Sequence, residues 1–291
     1  MQAGYPFIAI DPVVFSLGPF DVHWYGIMYL LAFAFFWAAG NWVARNRPWW
    51  AWSSQDVGDI LFYGMVGVVL GGRLGYVFFY SLDSFVQDPL FLFKITQGGM
   101  SFHGGLIGVI VAMWWFGRRT RRTFWQVADF VAPLVPVGLG LGRIGNFIGG
   151  ELWGRASDAP WAMIFPNSIQ AGGWRSEALR TAWANGSLDH LARHPSQLYQ
   201  AFGEGLLLFA LLAFYARKPR PAAAVSGLFL AAYGCFRFVA EFFREPDEHI
   251  GYVTGGWLTM GMVLSVPMIA AGVIIMAFAY RRTGRRVDSS D

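Results

Sequence analysis

The chain has 291 residues, of which 55% are hydrophobic and only 14% are charged, with a formal net charge of +4. Soluble domains carry about 25% charged residues, so this composition excludes a soluble globular protein and indicates a membrane protein with several spans. A single cysteine, Cys235, excludes an internal disulfide framework and a clustered cysteine metal site. The basic residues lie in short groups between apolar runs, which is typical of a topology signal and not of a nucleic-acid-binding protein.

The start of the chain differs from the apolar runs that follow it. No Lys or Arg precedes Arg45, so the first apolar run lacks the basic flank of a cleavable signal peptide and is expected to remain in the mature protein. Residues 10–20 contain Pro12 and Pro19 and alternate poorly between apolar and polar side chains. This segment is therefore predicted to form an arm lying on the membrane surface.

Seven apolar runs have roughly the 17 to 25 residues that a helix needs to cross a bilayer. They cover residues 22–44, 57–80, 100–117, 127–147, 198–216, 225–243 and 257–280. The sequence therefore predicts an all-α, polytopic integral membrane helix bundle that forms one domain over residues 1–291. The only sizeable polar segment, residues 149–197, is predicted to be a small external cap whose fold the sequence does not reveal.

The basic residues between the runs predict the orientation of the bundle. The loops after runs one, three and five and the C-terminal tail hold 13 Lys and Arg, whereas the opposite side holds six, four of them in the long cap segment. Cytoplasmic loops carry the excess of basic residues. The N-terminus is therefore predicted to lie outside and the C-terminus in the cytoplasm.

Three arginines lie inside predicted spans: Arg73, Arg143 and Arg237. With the predicted orientation, each belongs to the outer half of its span, and Tyr25 and His103 begin two further spans at the same face. Ionisable residues at membrane depth usually face a bundle interior or a wet cavity. Because arginines that merely snorkel would occur at both ends of the spans, this one-sided placement predicts a single outward-facing site.

Residues 138–154, GLGLGRIGNFIGGELWG, place Arg143, Asn146 and Glu151 where an apolar run becomes polar. Glycines spaced four apart permit close helix packing, and bare backbone can also approach a ligand head group. In a purely structural alternative, Arg143 pairs with Glu151 and the glycines only pack. The functional interpretation is favoured because ionisable residues inside a membrane usually serve function.

Several arginines in one membrane cavity suit an anionic lipid head group, since guanidinium binds phosphate in a bidentate manner. His103 lies among the glycines of residues 98–105, where an accessible imidazole would accept a proton near neutral pH. Alternatively, it is a histidine bonded to the backbone at a helix end. No metal is expected, because His103 and His194 lack neighbouring ligands at a usable spacing.

Residues 142–154 resemble the signature of the bacterial prolipoprotein diacylglyceryl transferase family. Residues 98–105, 194–199 and 233–244 resemble its other motifs, and HWYG at residues 23–26 extends the resemblance nearly to the start of the chain. There are two departures: Gly149 stands where Asn is common, and Gln200 stands where Glu is common. No hydrogen bond of the family's side chains is therefore assigned to these two positions.

The resemblance implies an enzyme of the bacterial inner membrane with its active site toward the periplasm. Such an enzyme moves the diacylglyceryl group of phosphatidylglycerol to the lipobox cysteine of a prolipoprotein and releases glycerol phosphate. It implies no cofactor and no nucleic-acid partner. By position, the family's important residues fall on Tyr25, His103, Arg143, Asn146, Glu151, Gly154, Tyr233, Arg237 and Glu241.

Residue chemistry suggests how these roles divide. His103 is the candidate base, and Arg143 and Arg237 are the candidate phosphate clamp, although Arg237 is also a candidate for assisting deprotonation. Glu241 and Glu151 are expected to orient the arginines, and Tyr25, Tyr233 and Asn146 to bind the head-group glycerol.

Two other functional classes fit the sequence less well. An anionic-lipid flippase or transporter should carry polar groups in the inner half of its spans, and this sequence has almost none there. A structural scaffold gives no reason for an accessible His103.

Overall fold

The computed structural model describes residues 4–18, 20–94, 98–246 and 251–288, without the side chains of residues 283–288. The described chain is mostly helical, as predicted. It divides into two compact units, one formed by Met1–Phe35 with Ala132–Asp291 and the other by Phe36–Val131. The helices are α1 (Trp24–Asn46), α2 (Ser54–Tyr80), α3 (Leu82–Gln87), α4 (Phe102–Arg119), α5 (Phe124–Val131), α6 (Val135–Gly149), α7 (Glu177–Ala184), α8 (Ser196–Gln200), α9 (Leu208–Tyr215), α10 (Ala224–Ala240) and α11 (Met260–Asp288).

Each of the seven predicted apolar runs coincides with helix. Five helical stretches are long and apolar enough to cross a membrane: Trp24–Asn46, Ser54–Tyr80, Phe124–Gly149, Ser196–Tyr215 and Met260–Arg282. The other two runs correspond to α4, whose 18 residues include a histidine and two arginines, and to α10, which has only 17 residues. The chain is therefore a multi-pass membrane protein.

Two short antiparallel hairpins interrupt the helical architecture, and the all-α prediction missed both. In the first, β1 (Val13–Leu17) pairs with β2 (Phe20–His23), with Ser16 opposite Asp21. In the second, β3 (Tyr252–Thr254) pairs with β4 (Leu258–Thr259). The first hairpin exposes Phe15, Leu17 and Phe20, which is the composition expected of the predicted membrane-surface arm. Pro19, which lies between the two strands in the sequence, is outside the described residues.

In the unit formed by Phe36–Val131, α2 packs against α4 through facing glycines. A Cβ on Gly75 would lie 2.8 Å from the Cα of Gly104, and a Cβ on Gly71 would lie 2.9 Å from the Cα of Gly108. Glycines at this spacing let two helix backbones approach closely where lipid offers no hydrophobic driving force for association. The small residues of α2 and α4 therefore fix the position of the first turn of α4.

In the other unit, the predicted cap of residues 149–197 has its own small core. Ala162, Ile164, Leu188 and Ala192 are buried together, and partly buried residues from the start of the chain pack on them. Phe7 forms a parallel bridge with Ile164. The N-terminal segment therefore completes the cap.

Candidate functional site

Three arginines and two buried glutamates form two sets of ion pairs that interact electrostatically and together make one cluster, in the unit that contains the cap. Arg143 Nη2 on α6 lies 3.5 Å from Glu204 Oε2. Arg237 Nη2 on α10 lies 2.5 Å from Glu241 Oε1, and Arg244 Nη1 lies 3.3 Å from the same oxygen. Glu204 interacts electrostatically with all three arginines. Three guanidinium groups face two carboxylates here, so the cluster has an excess of positive charge.

Glu241 is the centre of the α10 side of this cluster. Its carboxylate receives the ion pairs of Arg237 and Arg244, and its Oε2 accepts a hydrogen bond from Thr259 Oγ1 at 2.5 Å. Glu241 thus pairs with Arg237 across one helical turn, which is the spacing on which the predicted orienting role depends. Arg155 donates to the main-chain oxygens of Glu241 and Arg244. These hydrogen bonds connect the end of α10 to the segment that follows α6.

Glu204 is a member of the cluster that the sequence reasoning missed. Its side chain is 1% exposed, and it lies in the π-helical turn Ala201–Leu207 between α8 and α9. Such turns are frequent at functional sites. It is the only charged residue of the predicted run 198–216. That isolation was a usable signal, because an acid inside a membrane span indicates a functional or paired site.

Glu151 has a different partner from the one predicted. Its Oε1 accepts a hydrogen bond from Asn146 Nδ2 at 2.8 Å, and its main-chain oxygen accepts from Gln197 Nε2 at 2.7 Å. The structural alternative in which Arg143 pairs with Glu151 is wrong, because Arg143 makes its ion pair with Glu204. In the described structure, Glu151 therefore orients Asn146 rather than an arginine.

Two of the predicted tyrosines interact with Arg143. Tyr25, in the first turn of α1, interacts electrostatically with Arg143 and Glu151. Tyr233, on α10, interacts with Arg143 and Glu204. Tyr233 also hydrogen-bonds with the Arg143 side chain, whereas Tyr25 hydrogen-bonds with Tyr29 and interacts with Arg143 only electrostatically.

A cavity of about 220 Å³ opens next to this group. Gly145 is necessary for its shape, because a Cβ there would lie 2.8 Å from Tyr25 Cδ2. Gly149 is one of its lining residues, and a larger side chain at that position would narrow the cavity. The full lining is Pro12, His23, Trp24, Tyr25, Gly145, Gly149 and Glu151.

Gly154 has a packing role. Its N–H donates to the main-chain oxygen of His194 at 2.9 Å. A Cβ on Gly154 would lie 2.5 Å from the main-chain oxygens of both His194 and Phe243. The resemblance placed Gly154 among the family's important residues, and the geometry accounts for this glycine by the close crossing of three chain segments.

His194 is part of the same crossing. Its Nδ1 lies 3.1 Å from Tyr199 Oη, and its ring packs edge-on against Phe243. Partial burial lowers the pKa of His194, while the nearby Asp158 carboxylate opposes this shift. The neutral imidazole is thus favoured, in keeping with a packing role.

His103 lies in the first turn of α4, in the unit formed by Phe36–Val131, and is exposed. No main-chain group within the described ranges hydrogen-bonds its imidazole, so the alternative of a backbone-bonded histidine finds no support. The reason for its exposure differs from the one predicted. Gly104 and Gly105 are buried and pack α4 against α2, so they position the helix and do not clear space around the imidazole.

Comparison with known proteins agrees with the sequence motifs. The family model described as prolipoprotein diacylglyceryl transferase matches residues 12–278. A phosphatidylglycerol–prolipoprotein diacylglyceryl transferase from Photorhabdus laumondii is 54% identical over 289 residues, which cover 96% of this chain and 95% of the relative. The protein of the same name from Sodalis glossinidius is 56% identical over 287 residues, 95% of each chain.

A third relative with that name, from Pseudomonas aeruginosa, is 52% identical over 274 residues, which cover 94% of this chain and 95% of the relative. The residues matched by the family model include the arginine cluster, the cap and α4. With a family model that spans most of its length and relatives above half identity, the chain belongs to the prolipoprotein diacylglyceryl transferase family.

Proposed function

We propose that the protein is a transferase that moves the diacylglyceryl group from phosphatidylglycerol to the lipobox cysteine of a prolipoprotein. The names of the relatives give the donor, phosphatidylglycerol, the acceptor, a prolipoprotein, and the diacylglyceryl group that is transferred. The structural observation that supports it most is the arginine cluster. Arg237 Nη1 is buried and has no hydrogen-bond partner in the described part of the chain. A buried donor of this kind is costly to leave unpaired, and a phosphate oxygen is a suitable acceptor.

The reaction is a displacement at carbon. The thiolate sulfur of the peptide attacks the diacylglyceryl carbon that bears the phosphate oxygen, so a C–S bond forms as the C–O bond breaks. Glycerol phosphate leaves with the electron pair of the broken bond. Arg143 and Arg237 stabilise the negative charge that accumulates on the leaving phosphate. His103 takes the thiol proton, since an unperturbed thiol with a pKa of about 8.5 is mostly protonated at neutral pH.

Residues around the cluster, together with its glutamates, position the lipid. Tyr25, Tyr233 and Asn146 offer hydroxyl and amide groups for the head-group glycerol, and Glu151 holds the Asn146 amide. Glu204 and Glu241 restrict the rotamers of the arginines with which they pair. Pre-oriented guanidinium groups need less reorganisation when charge develops in the transition state.

The decisive assay uses purified protein with phosphatidylglycerol micelles and a synthetic lipobox peptide. Mass spectrometry of the peptide should show addition of one diacylglyceryl group, and the aqueous phase should contain glycerol phosphate. A peptide in which the lipobox cysteine is replaced by serine is the control and should remain unmodified. Movement of labelled phosphatidylglycerol between vesicle leaflets without any peptide modification would instead support the flippase alternative.

We propose that all seven apolar helices span the bacterial inner membrane, with the N-terminus and the cluster toward the periplasm and the C-terminus in the cytoplasm. Tags inserted after Ser84 and between Gly172 and Gly173 should therefore react with an impermeant reagent in intact spheroplasts. A tag after Thr120 should react only after lysis. Reversal of any one of the three would contradict the orientation.

The nucleophile in this reaction belongs to the substrate, so the enzyme's own cysteine is dispensable. Cys235 is exposed on α10, and Cys235→Ser should keep its turnover within about twofold of the wild type, as expected of a surface substitution. The measurement is the peptide assay under saturating lipid. A well-inserted Cys235→Ser protein that transfers nothing would require a covalent enzyme intermediate.

A further inference from the structure

Arg73, the third arginine inside a predicted span, has a role different from that of Arg143 and Arg237. It lies on α2 and is only 3% exposed. Its Nε donates to Leu92 O at 3.0 Å, its Nη1 donates to Gly98 O at 2.6 Å and Gly99 O at 3.2 Å, and its Nη2 donates to the main-chain oxygens of Phe91 and Lys94.

These five bonds use every donor that a guanidinium has. Arg73 therefore has no donor for a phosphate, which separates it from Arg237 with its unpartnered Nη1. Two aromatic rings also face the charge: the ring of Phe91 lies 4.7 Å and that of Tyr76 5.8 Å from the guanidinium carbon. The side chain thus serves to hold backbone in place.

The backbone that Arg73 holds leads directly into the turn that carries His103. Gly98 and Gly99 have φ values of +80° and +87°, a conformation that other residues rarely adopt. Ser101 N–H then donates to the main-chain oxygen of Gly72 at 2.9 Å, next to Arg73. Ser101 Oγ in turn caps α4 by accepting from Gly104 N–H.

We propose that Arg73 is a positioning residue for His103: it fixes the entry of the chain into α4 and thereby the place of the imidazole. The inference rests on the proposed function, in which His103 takes the thiol proton. Arg73 would therefore serve the deprotonation of the peptide thiol by His103 and would not bind the lipid. Its physical basis is that a planar fork with five donors can hold several carbonyl groups at once, whereas a lysine ammonium with three donors cannot reproduce that geometry.

The test compares Arg73→Lys with wild type in the purified transfer assay, with kcat and KM for phosphatidylglycerol measured separately from about pH 6.5 to 9. Misplacement of a catalytic group by about 1 Å lowers rates by up to about 100-fold. We expect kcat at pH 7 to fall by about 10- to 100-fold, KM for the lipid to change less than about twofold, and alkaline pH to recover part of the loss. Lys94→Gln is the matched control, since it removes an exposed ion pair with Asp88 from the same segment, and it should behave as wild type.

The double variant Arg73→Lys/His103→Gln distinguishes positioning from general destabilisation. If Arg73 acts through His103, the double variant should be no slower than His103→Gln alone, because residues that act as a unit are not additive. A further loss of activity, or a rise in lipid KM equal to the fall in kcat, would overturn the proposal. A wild-type rate for Arg73→Lys would do the same.

Two further outcomes keep the inference separate from the proposed function. If His103→Gln itself transfers at the wild-type rate, the role of His103 fails first and the positioning role falls with it. If His103→Gln is inactive but Arg73→Lys is normal, only the positioning role fails. Should Arg73→Lys not insert stably, Gly98→Ala disturbs the same backbone at a position with open space around its Cβ. It must then show the same fall in kcat with alkaline recovery.

Discussion

His103→Gln is expected to abolish diacylglyceryl transfer at pH 7 while phosphatidylglycerol binding stays largely intact. Glutamine keeps the approximate size and a hydrogen-bonding end but lacks a basic nitrogen. General base catalysis contributes about 100- to 10,000-fold, so the loss should be at least about 100-fold in kcat. His103 is exposed at the start of α4, and its replacement should leave the packing of α4 against α2 undisturbed.

The pH dependence of the His103→Gln enzyme tests specifically whether His103 acts as the base. As the pH rises toward about 9, more of the peptide thiol ionises without a base, so the His103→Gln enzyme should recover part of its activity. Lipid binding is measured separately by titration with phosphatidylglycerol in detergent. A variant that transfers at the wild-type rate at pH 7 would exclude His103 as the base. A variant that loses lipid binding as completely as an Arg143 variant would make His103 a lipid-positioning residue.

Arg143→Lys is expected to weaken lipid binding and turnover together. The guanidinium of Arg143 is shared between Glu204 and Tyr233, and lysine keeps the charge but loses the planar fork that binds phosphate. Loss of a hydrogen bond to a charged group costs about 1.5 to 3 kcal/mol, which corresponds to about a 10- to 100-fold reduction in kcat/KM. The measurement is kcat and KM for phosphatidylglycerol in the same assay.

Arg180→Lys is a suitable control, because Arg180 lies in the cap, is 46% exposed, and interacts only with the cap residues Glu177, at 3.8 Å, and Trp174, whose main-chain oxygen accepts from Nη2 at 3.3 Å, among the contacts of the described residues. It should retain wild-type kinetics. Unlike His103→Gln, Arg143→Lys should not recover activity at alkaline pH. A higher pH ionises the peptide thiol but does not restore the group that binds the phosphate. Full recovery of Arg143→Lys at about pH 9 would therefore contradict the assignment of Arg143 to the phosphate.

The sequence by itself determined the features that depend on local periodicity and composition. The seven apolar runs coincide with helix because a membrane helix satisfies its own backbone hydrogen bonds, so its signal is contained in about 20 consecutive residues. The pairing of Arg237 with Glu241 was predictable for the same reason, since residues four apart on a helix are neighbours. The family motifs could also be recognised from the sequence, because each is a short, continuous stretch.

Only the tertiary structure decided the contacts between distant segments. Arg143 and Glu204 are 61 residues apart, and the choice of Glu204 over the nearby Glu151 follows from the packing of α6 against the π-helical turn. The five carbonyl partners of Arg73 lie 18 to 26 residues along the chain. Phe7, near the N-terminus, forms a bridge with Ile164 in the cap core. Such pairings depend on which surfaces meet when helices and loops pack, and neither spacing nor hydropathy along one segment encodes that choice.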